Sequence, residues 1–288
     1  MTDTMGPTLR ARWLGSKMKE LRKARKLKLA QVGDLLKRHQ GTVSRFESGE
    51  YPIPSNELLQ MLDLYGVSDI GQRSDLLQLS EDVAQRGWWD GYRPFINNNF
   101  ADFVWLENNA HAVSFLGLTS ISGLLQTTDY ATALISNGPQ RHDEFEMKRL
   151  LEARLVRKQL LERPESPSFR FLLHEALLHQ QVGSPEVTAG QLRNLLSLSA
   201  YPRVELKVLP LTAWRHTAAG MATEYTVFEL REPFPTVVGV DTSAGAIYKE
   251  APDIHSFTNT FNSLWQDDAL SESNSMTCIE TLIREISP

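Results

Sequence analysis

At 288 residues, 41% hydrophobic and 23% charged, the chain is long enough for two cores, too hydrophobic for a mostly disordered protein and too charged for a membrane-embedded one. No apolar run approaches the roughly 18 residues that span a bilayer, and MTDTMGPTLR lacks the apolar core of a signal peptide, so a cytoplasmic location without a membrane partner is expected. The single cysteine, Cys278, rules out an internal disulfide and a set of zinc thiolates, and its expected role is that of a small buried residue.

The net charge of -5 hides an asymmetry. Between Arg10 and Arg38 stand eleven Lys or Arg against two acids, which leaves 19 basic and 33 acidic residues in the remainder. A compact basic end on an acidic body attracts polyphosphate through counterion release.

Leu14, Met18 and Leu21 recur at i, i+4 and i+7, which predicts a first helix over about 14 to 25 with its cations outward. Leu29, Val32 and Leu36 predict a second helix, ending near Lys37, Arg38 and His39. In QGTVSRFESGE, Val43 and Phe46 share one side of a third helix, while Gln40, Gly41, Ser44, Arg45 and Ser48 fall on the other. Gly49 suits a left-handed helix end, Pro52 and Pro54 stop continuation, and Ser55 is placed to cap a fourth helix carrying Leu58, Leu59, Leu62 and Tyr65. Residues 68 to 86 read as a fifth.

The segment from about Leu14 to Val67, through TVSRFESGEYPIPS, resembles the five-helix DNA-binding domain of the phage-repressor and Xre class. The resemblance makes VSRFESG the recognition helix and double-stranded DNA the partner. It places Gln40, Gly41, Ser44 and Arg45 toward the major groove, with Thr42 and Ser48 counted in the same DNA-binding set. Arg45 is the expected base reader, because its fork can donate two hydrogen bonds to guanine O6 and N7. Lys28, Lys37 and Arg38 are assigned to phosphates, which fix register. Arg22 and Glu47 match an internal, structural salt bridge of the class. The sequence departs from the pattern at Leu29, Gly33 and Lys37. Glycine inside a helix costs about 1 kcal/mol relative to alanine, and lysine in a left-handed turn is also unfavourable, so a weakened second helix is expected.

An aromatic stretch follows, with Trp88, Trp89, Tyr92, Phe95, Phe100, Phe103 and Trp105 but one basic residue, Arg93. Packing between domains suits it better than stacking on nucleobases. The expected organisation is a helix-turn-helix domain with a linker helix over 10–86, an aromatic linker over 87–102 and a C-terminal domain over 103–288. In that domain FRFLL, VELKVL, EYTVFEL, TVVGV and AIYK predict strands at 169–173, 204–209, 224–230, 236–240 and 246–249. Helices are predicted at 144–161, 185–199, 252–265 and 272–286. Without a clean alternation of strand and helix, α+β is preferred. The fold class is therefore multi-domain, an all-α five-helix domain followed by an α+β domain.

The pieces FVWLENNA, SGLLQTTDYA, EARLVRKQLL, LLHEALLHQQVGSPEVTAGQLRNLL and VELKVLPL, in this order, resemble the C-terminal domain of a large actinobacterial family of antitoxin-like regulators. That resemblance implies an Xre-type helix-turn-helix in front and a small protein partner encoded nearby; a small-molecule effector is the other occupant expected for the domain. The sequence departs from it at Ser122 and in LTAWRHTAAG after VLP.

No enzyme signature competes. His174, Glu175 and His179 form H-E-x-x-x-H, one residue too long for the zinc spacing, which sets the histidines about 140° apart on a helix. GLLQT at 123–127 lacks a nucleophilic serine and a phosphate-loop lysine, and reads as a turn into a helix capped by Thr127 or Thr128. Asp241 and Glu224 stand as isolated carboxylates. No catalytic residue, metal site or cofactor is expected. The leading reading is a sequence-specific, antitoxin-like transcriptional regulator, active as a homodimer. The alternative is an enzyme or toxin-type activity in the C-terminal domain, with the helix-turn-helix used for autoregulation.

Overall fold

The computed structural model describes residues 7–84, 92, 98–138, 143–213, 223–231, 234–242 and 246–286. The chain separates into two compact units, Met1–Asp102 and Phe103–Pro288.

The first unit begins with α1 (Leu9–Ala24), which starts earlier than its leucine pattern predicts because Thr8 caps it, its hydroxyl accepting from the Ala11 N–H. Next come α2 (Leu29–Leu36), α3 (Gln40–Ser48), α4 (Ser55–Tyr65) and α5 (Ile70–Ala84). Leu14, Met18, Val32, Val43, Phe46, Leu58, Met61 and Leu62 are buried and form the core that these helices share. One capping assignment is corrected: Pro54 occupies the N-cap of α4 in extended geometry, and Ser55 is the first helical residue with no capping hydrogen bond. A proline already holds the dihedral that the chain needs on entering a helix, so no side-chain cap is required to set the direction.

Gly15 and Gly33 carry close approaches within this unit. At Gly15 a Cβ would lie 2.6 Å from the Phe46 carbonyl oxygen and 2.7 Å from that of Glu47, so α1 meets the end of α3 backbone to side chain-free backbone. At Gly33 a Cβ would lie 2.7 Å from the Arg38 carbonyl oxygen. The glycine that weakens α2 by propensity is thus the residue that lets the turn into α3 fold back over it.

The aromatic linker expected over 87–102 lies largely outside the described residues, but its end does not. Residues 98–102 belong to a helix, α6 (Asn98–Asn109), which the sequence reading did not assign. In the second unit follow β1 (Ala110–Gly117), α7 (Thr128–Ser136), α8 (Glu144–Lys158), β2 (Ser168–His174), the one-turn α9 (Glu175–Leu178), α10 (Pro185–Leu198) and β3 (Val204–Leu209). The chain then runs through β4 (Tyr225–Leu230), β5 (Val237–Val240), β6 (Ile247–Lys249), α11 (His255–Ser263), a π-helical turn (Leu264–Asp268) and α12 (Glu272–Ile286).

The six strands form one mixed sheet in the order β3-β2-β1-β4-β5-β6. β1, β2 and β3 are parallel and joined by helical crossovers, whereas β4, β5 and β6 return antiparallel. The unit is α+β, and the parallel half is a strand-helix alternation that the sequence conceals. It was hidden because β1 was missed. Five consecutive residues at its end, Val113 to Gly117, are buried, so this central strand shows no clean polar alternation. Leu116, Leu172, Tyr225, Val227 and Val238 pack on one side against Ile254, Phe261, Leu264 and Trp265 from α11 and the π-helical turn.

Two polar features hold this unit. Arg157 donates from Nε and Nη2 to both oxygens of Glu107, at 2.5 and 2.6 Å, with side chains 8% and 2% exposed. Glu224 is not isolated: its carboxylate accepts from the backbone N–H groups of Leu118, Thr119 and Ser120 and from the Ser120 hydroxyl. It ties the loop after β1 to the start of β4.

Gly33→Ala provides a test of the close approach in the first unit. Helix propensity alone expects stabilisation by about 1 kcal/mol. The structure expects the reverse, a loss of about 1–3 kcal/mol from forcing the Arg38 carbonyl away. Chemical denaturation of the full chain decides between the signs.

Candidate nucleic-acid interface

The third helix is framed at both ends by specific geometry. His39 N-caps it, with its ring Nδ1 accepting from the Gly41 N–H at 3.1 Å, and Gly49 ends it with φ of 77°. Val43, Phe46 and Glu47 point into the unit, while Gln40, Ser44, Arg45 and Ser48 are exposed and Gly41 and Thr42 half-buried. The structure therefore gathers these six residues on one accessible stretch of α3.

Its rigidity comes from below. Arg22, near the end of α1, donates from Nε to Glu47 Oε1 at 2.6 Å and from Nη2 to Oε2 at 2.8 Å. A third donor, Nη1, reaches the Leu27 carbonyl oxygen at 2.7 Å. The two side chains are 10% and 4% exposed, and the hydrogen bond to Glu47 holds the guanidinium above its ordinary pKa. A fork that meets a carboxylate in two places fixes angle as well as distance. This pair locks α3 to α1 and to the turn before α2.

The basic count is less available than its sum suggests. Arg10 is buried and donates to the Asp82 carbonyl oxygen. Arg25 closes the end of α4 by donating to the carbonyl oxygens of Tyr65 and Gly66, and Lys17 lies 3.0 Å from Glu20. With Arg22 also committed, and Arg25 exposed but bonded to the end of α4, the other exposed cations of the segment are Arg12, Lys19, Lys23, Lys26, Lys28, Lys37 and Arg38. Lys28 is the N-cap residue of α2, where the Gln31 side chain accepts from its N–H at 2.8 Å. Lys37 occupies the left-handed position after α2 with φ of 54°. That conformation is strained for a residue with a Cβ. Arg38 is shared: its Nη2 lies 2.8 Å from Glu57 Oε1, which raises the guanidinium pKa through that hydrogen bond.

Arg45 is 54% exposed but not loose. Its Nη1 donates to the Tyr51 hydroxyl at 2.8 Å, its guanidinium lies 5.1 Å from the centre of the Tyr51 ring, and Glu50 stands 3.9 Å away. Tyr51, just after the α3 cap, is the contact that the sequence reading missed. The only available signal was its spacing of six from Arg45 across a glycine turn, which no helical period would pair.

The remaining sequence candidates sit elsewhere. His174 ends β2 and caps the single turn of α9, its Nδ1 accepting from the Ala176 N–H, while burial lowers its pKa. His179 follows α9, with Nε2 3.8 Å from Glu175. The two histidines therefore flank α9, one at each cap, instead of sharing a longer helix. Thr127 caps α7, accepting from the Tyr130 N–H. The stretch from Trp214 to Gly220 lies outside the described residues. No helix among the described residues is long and apolar enough to cross a membrane.

Residues 13–76 match a helix-turn-helix domain, and residues 100–281, more than half of the chain, match a domain of unknown function (DUF5753). No curated protein and no solved structure matches the chain.

Glu47→Ala should strip the Arg22 guanidinium of its counter-charge inside the unit. Breaking a buried pair costs about 3–5 kcal/mol. Urea unfolding of the full chain measures the loss, and amide hydrogen exchange over 9–65 locates it. Unchanged protection there would show that α3 is held by apolar packing alone.

Proposed function

We propose a function from one premise: the chain belongs to the DUF5753 family and carries a helix-turn-helix domain ahead of the family's domain. It is a sequence-specific DNA-binding transcriptional regulator of the Xre type. The observation that carries the reading is the exposed polar stretch of α3, braced from beneath by Arg22 and Glu47 and flanked by exposed lysines.

In this reading α3 enters the major groove. Arg45 reads a guanine through its fork, with Tyr51 holding the guanidinium at the helix surface before contact. Gln40, Gly41, Thr42, Ser44 and Ser48 supply the remaining contacts. Lys28, Lys37 and Arg38 meet phosphates, Arg38 with part of its charge already turned toward Glu57.

The working species is a homodimer, because one recognition helix covers too few base pairs to select a site. Two helices in successive major grooves require inverted half-sites about 10 base pairs apart. The C-terminal domain is antitoxin-like, of actinobacterial type, and works by binding a small protein partner encoded nearby or a small effector rather than by turnover. The protein acts in the cytoplasm.

Binding to operator and scrambled DNA at fixed salt tests the assignment. Arg45→Ala should lose about 1–3 kcal/mol of discrimination while keeping its melting temperature. Lys37→Gly should weaken both DNAs alike and flatten the salt dependence by about one phosphate. The same change relieves the left-handed lysine and should raise stability by about 1 kcal/mol. An unchanged operator preference in Arg45→Ala, or a selective loss in Lys37→Gly, would reverse the roles given to them.

A further inference from the structure

Helix α8 carries three cations near its end, Arg154, Arg157 and Lys158, and they are not equally served. Arg157 takes both oxygens of the buried Glu107. Arg154 is left with an amide: its Nη1 donates to Gln126 Oε1 at 2.5 Å, and no carboxylate among the described residues pairs with it. Lys158, one turn further on, reaches the Gln126 carbonyl oxygen at 3.4 Å. Burial first, and then the charge of Arg157, push the Arg154 guanidinium down to about 10; burial likewise lowers Lys158.

For Lys158 the charge of Glu162 works the other way and offsets part of this, whereas both influences on Arg154, burial and the charge of Arg157, act in the same direction. The negative end of the α8 dipole acts within its last turn, which includes Lys158 but not Arg154. Gln126 spends its own amide N–H on the Ile121 carbonyl oxygen. Two residues beyond Gln126, α7 begins at Thr128, so the positive end of another helix lies at the same corner. Desolvated cations beside a helix N-terminus are a site short of an anion.

The other end of the same seam is apolar. Met147, Leu151, Arg154 and Lys158 follow one another at steps of four, three and four, a single stripe of α8. Where Arg154 and Lys158 meet the chain just before α7, Met147 and Leu151 meet α7 itself. With Ile135, Thr132 and Ser136 they line a cavity of about 220 Å³. Glu144 and Lys148 add one charge of each sign at its far end. The stripe thus changes from apolar to cationic within one turn, between Leu151 and Arg154.

We propose that the seam between α7 and α8 binds a small amphiphilic acid, its oxyanion between Arg154 and Lys158 and its aliphatic part in the cavity beside Leu151. This gives the effector of the reading above a place and a chemistry. It rests on that reading only for its regulatory meaning, because occupancy is measured on the protein without DNA.

Calorimetric titration of the full chain with octanoate, acetate and inorganic phosphate tests it. Octanoate should bind at least about ten-fold more tightly than acetate or phosphate, since each methylene entering the cavity adds affinity. Arg154→Gln should lose at least about ten-fold in octanoate affinity without a fall in melting temperature, because the charge it removes is paired with no carboxylate among the described residues and its one polar contact there is a neutral amide. Thr132→Trp, at the rim of the cavity, keeps both cations and should bring octanoate down to the level of acetate. It keeps the test open if Arg154→Gln fails to fold. Failure of octanoate to bind, equal binding in Arg154→Gln, or equal affinity for phosphate and octanoate would overturn the proposal, and none of these would bear on the DNA assignment.

Discussion

Each unit of this chain is built over one guanidinium that is taken out of water and met there by a carboxylate. In the first, Arg22 closes on Glu47 with two donors and spends a third on the Leu27 carbonyl oxygen. In the second, Arg157 closes on Glu107, and its guanidinium also stacks 4.8 Å from the centre of the Phe103 ring. A fork of this kind is costly to break, because removal of either partner leaves the other charged and desolvated. Hence the pair fixes orientation more than it adds net stability. Helix α3 can present a polar outer side only because its inner side is held at a set angle.

The same constraint explains why the basic segment is not simply a charged surface. Of its eleven cations, Arg10, Arg22 and Arg25 serve the fold, Lys17 faces Glu20 and Arg38 is shared with Glu57. What remains outward is Arg12 and five lysines, mobile point charges suited to phosphates, while the planar donor of α3, Arg45, lies beyond this segment. Even Arg45 is held, by Tyr51. A side chain restrained near its reading geometry loses less conformational freedom on contact than a free one. The second unit offers the contrasting case. There Arg154 has burial without a carboxylate, and the imbalance lies on a helix seam that is apolar one turn away.

The mixed sheet follows from a related economy in backbone groups. β1 lies between a parallel and an antiparallel neighbour and is buried along most of its length, so its hydrogen bonds are met from both sides. The loop that leaves it has no strand to satisfy its N–H groups. Glu224 does so instead, one carboxylate serving three successive amides. A carboxylate that looked solitary in the sequence is the clasp between the parallel and antiparallel halves.

By itself the sequence determined what depends on local periodicity. The five helices of the first unit, the exposed residues of α3, the antiparallel strands from Tyr225 onward and α12 all follow from spacing of apolar residues and from turn residues between them. Their signals are complete within a dozen residues, which is the range over which a helix or hairpin forms its own contacts. Tertiary structure decided everything that requires two distant segments to touch. β1 is legible only once β2 and β4 flank it, because burial on both faces erases alternation. Gly33 looks like a helix defect until the Arg38 carbonyl is seen where a methyl group would lie. Tyr51 meets Arg45 only because Gly49 turns the chain back at positive φ. Arg154 and Arg157, three residues apart on one helix, differ in fate for the same reason. A carboxylate fifty residues away in sequence reaches only one of them.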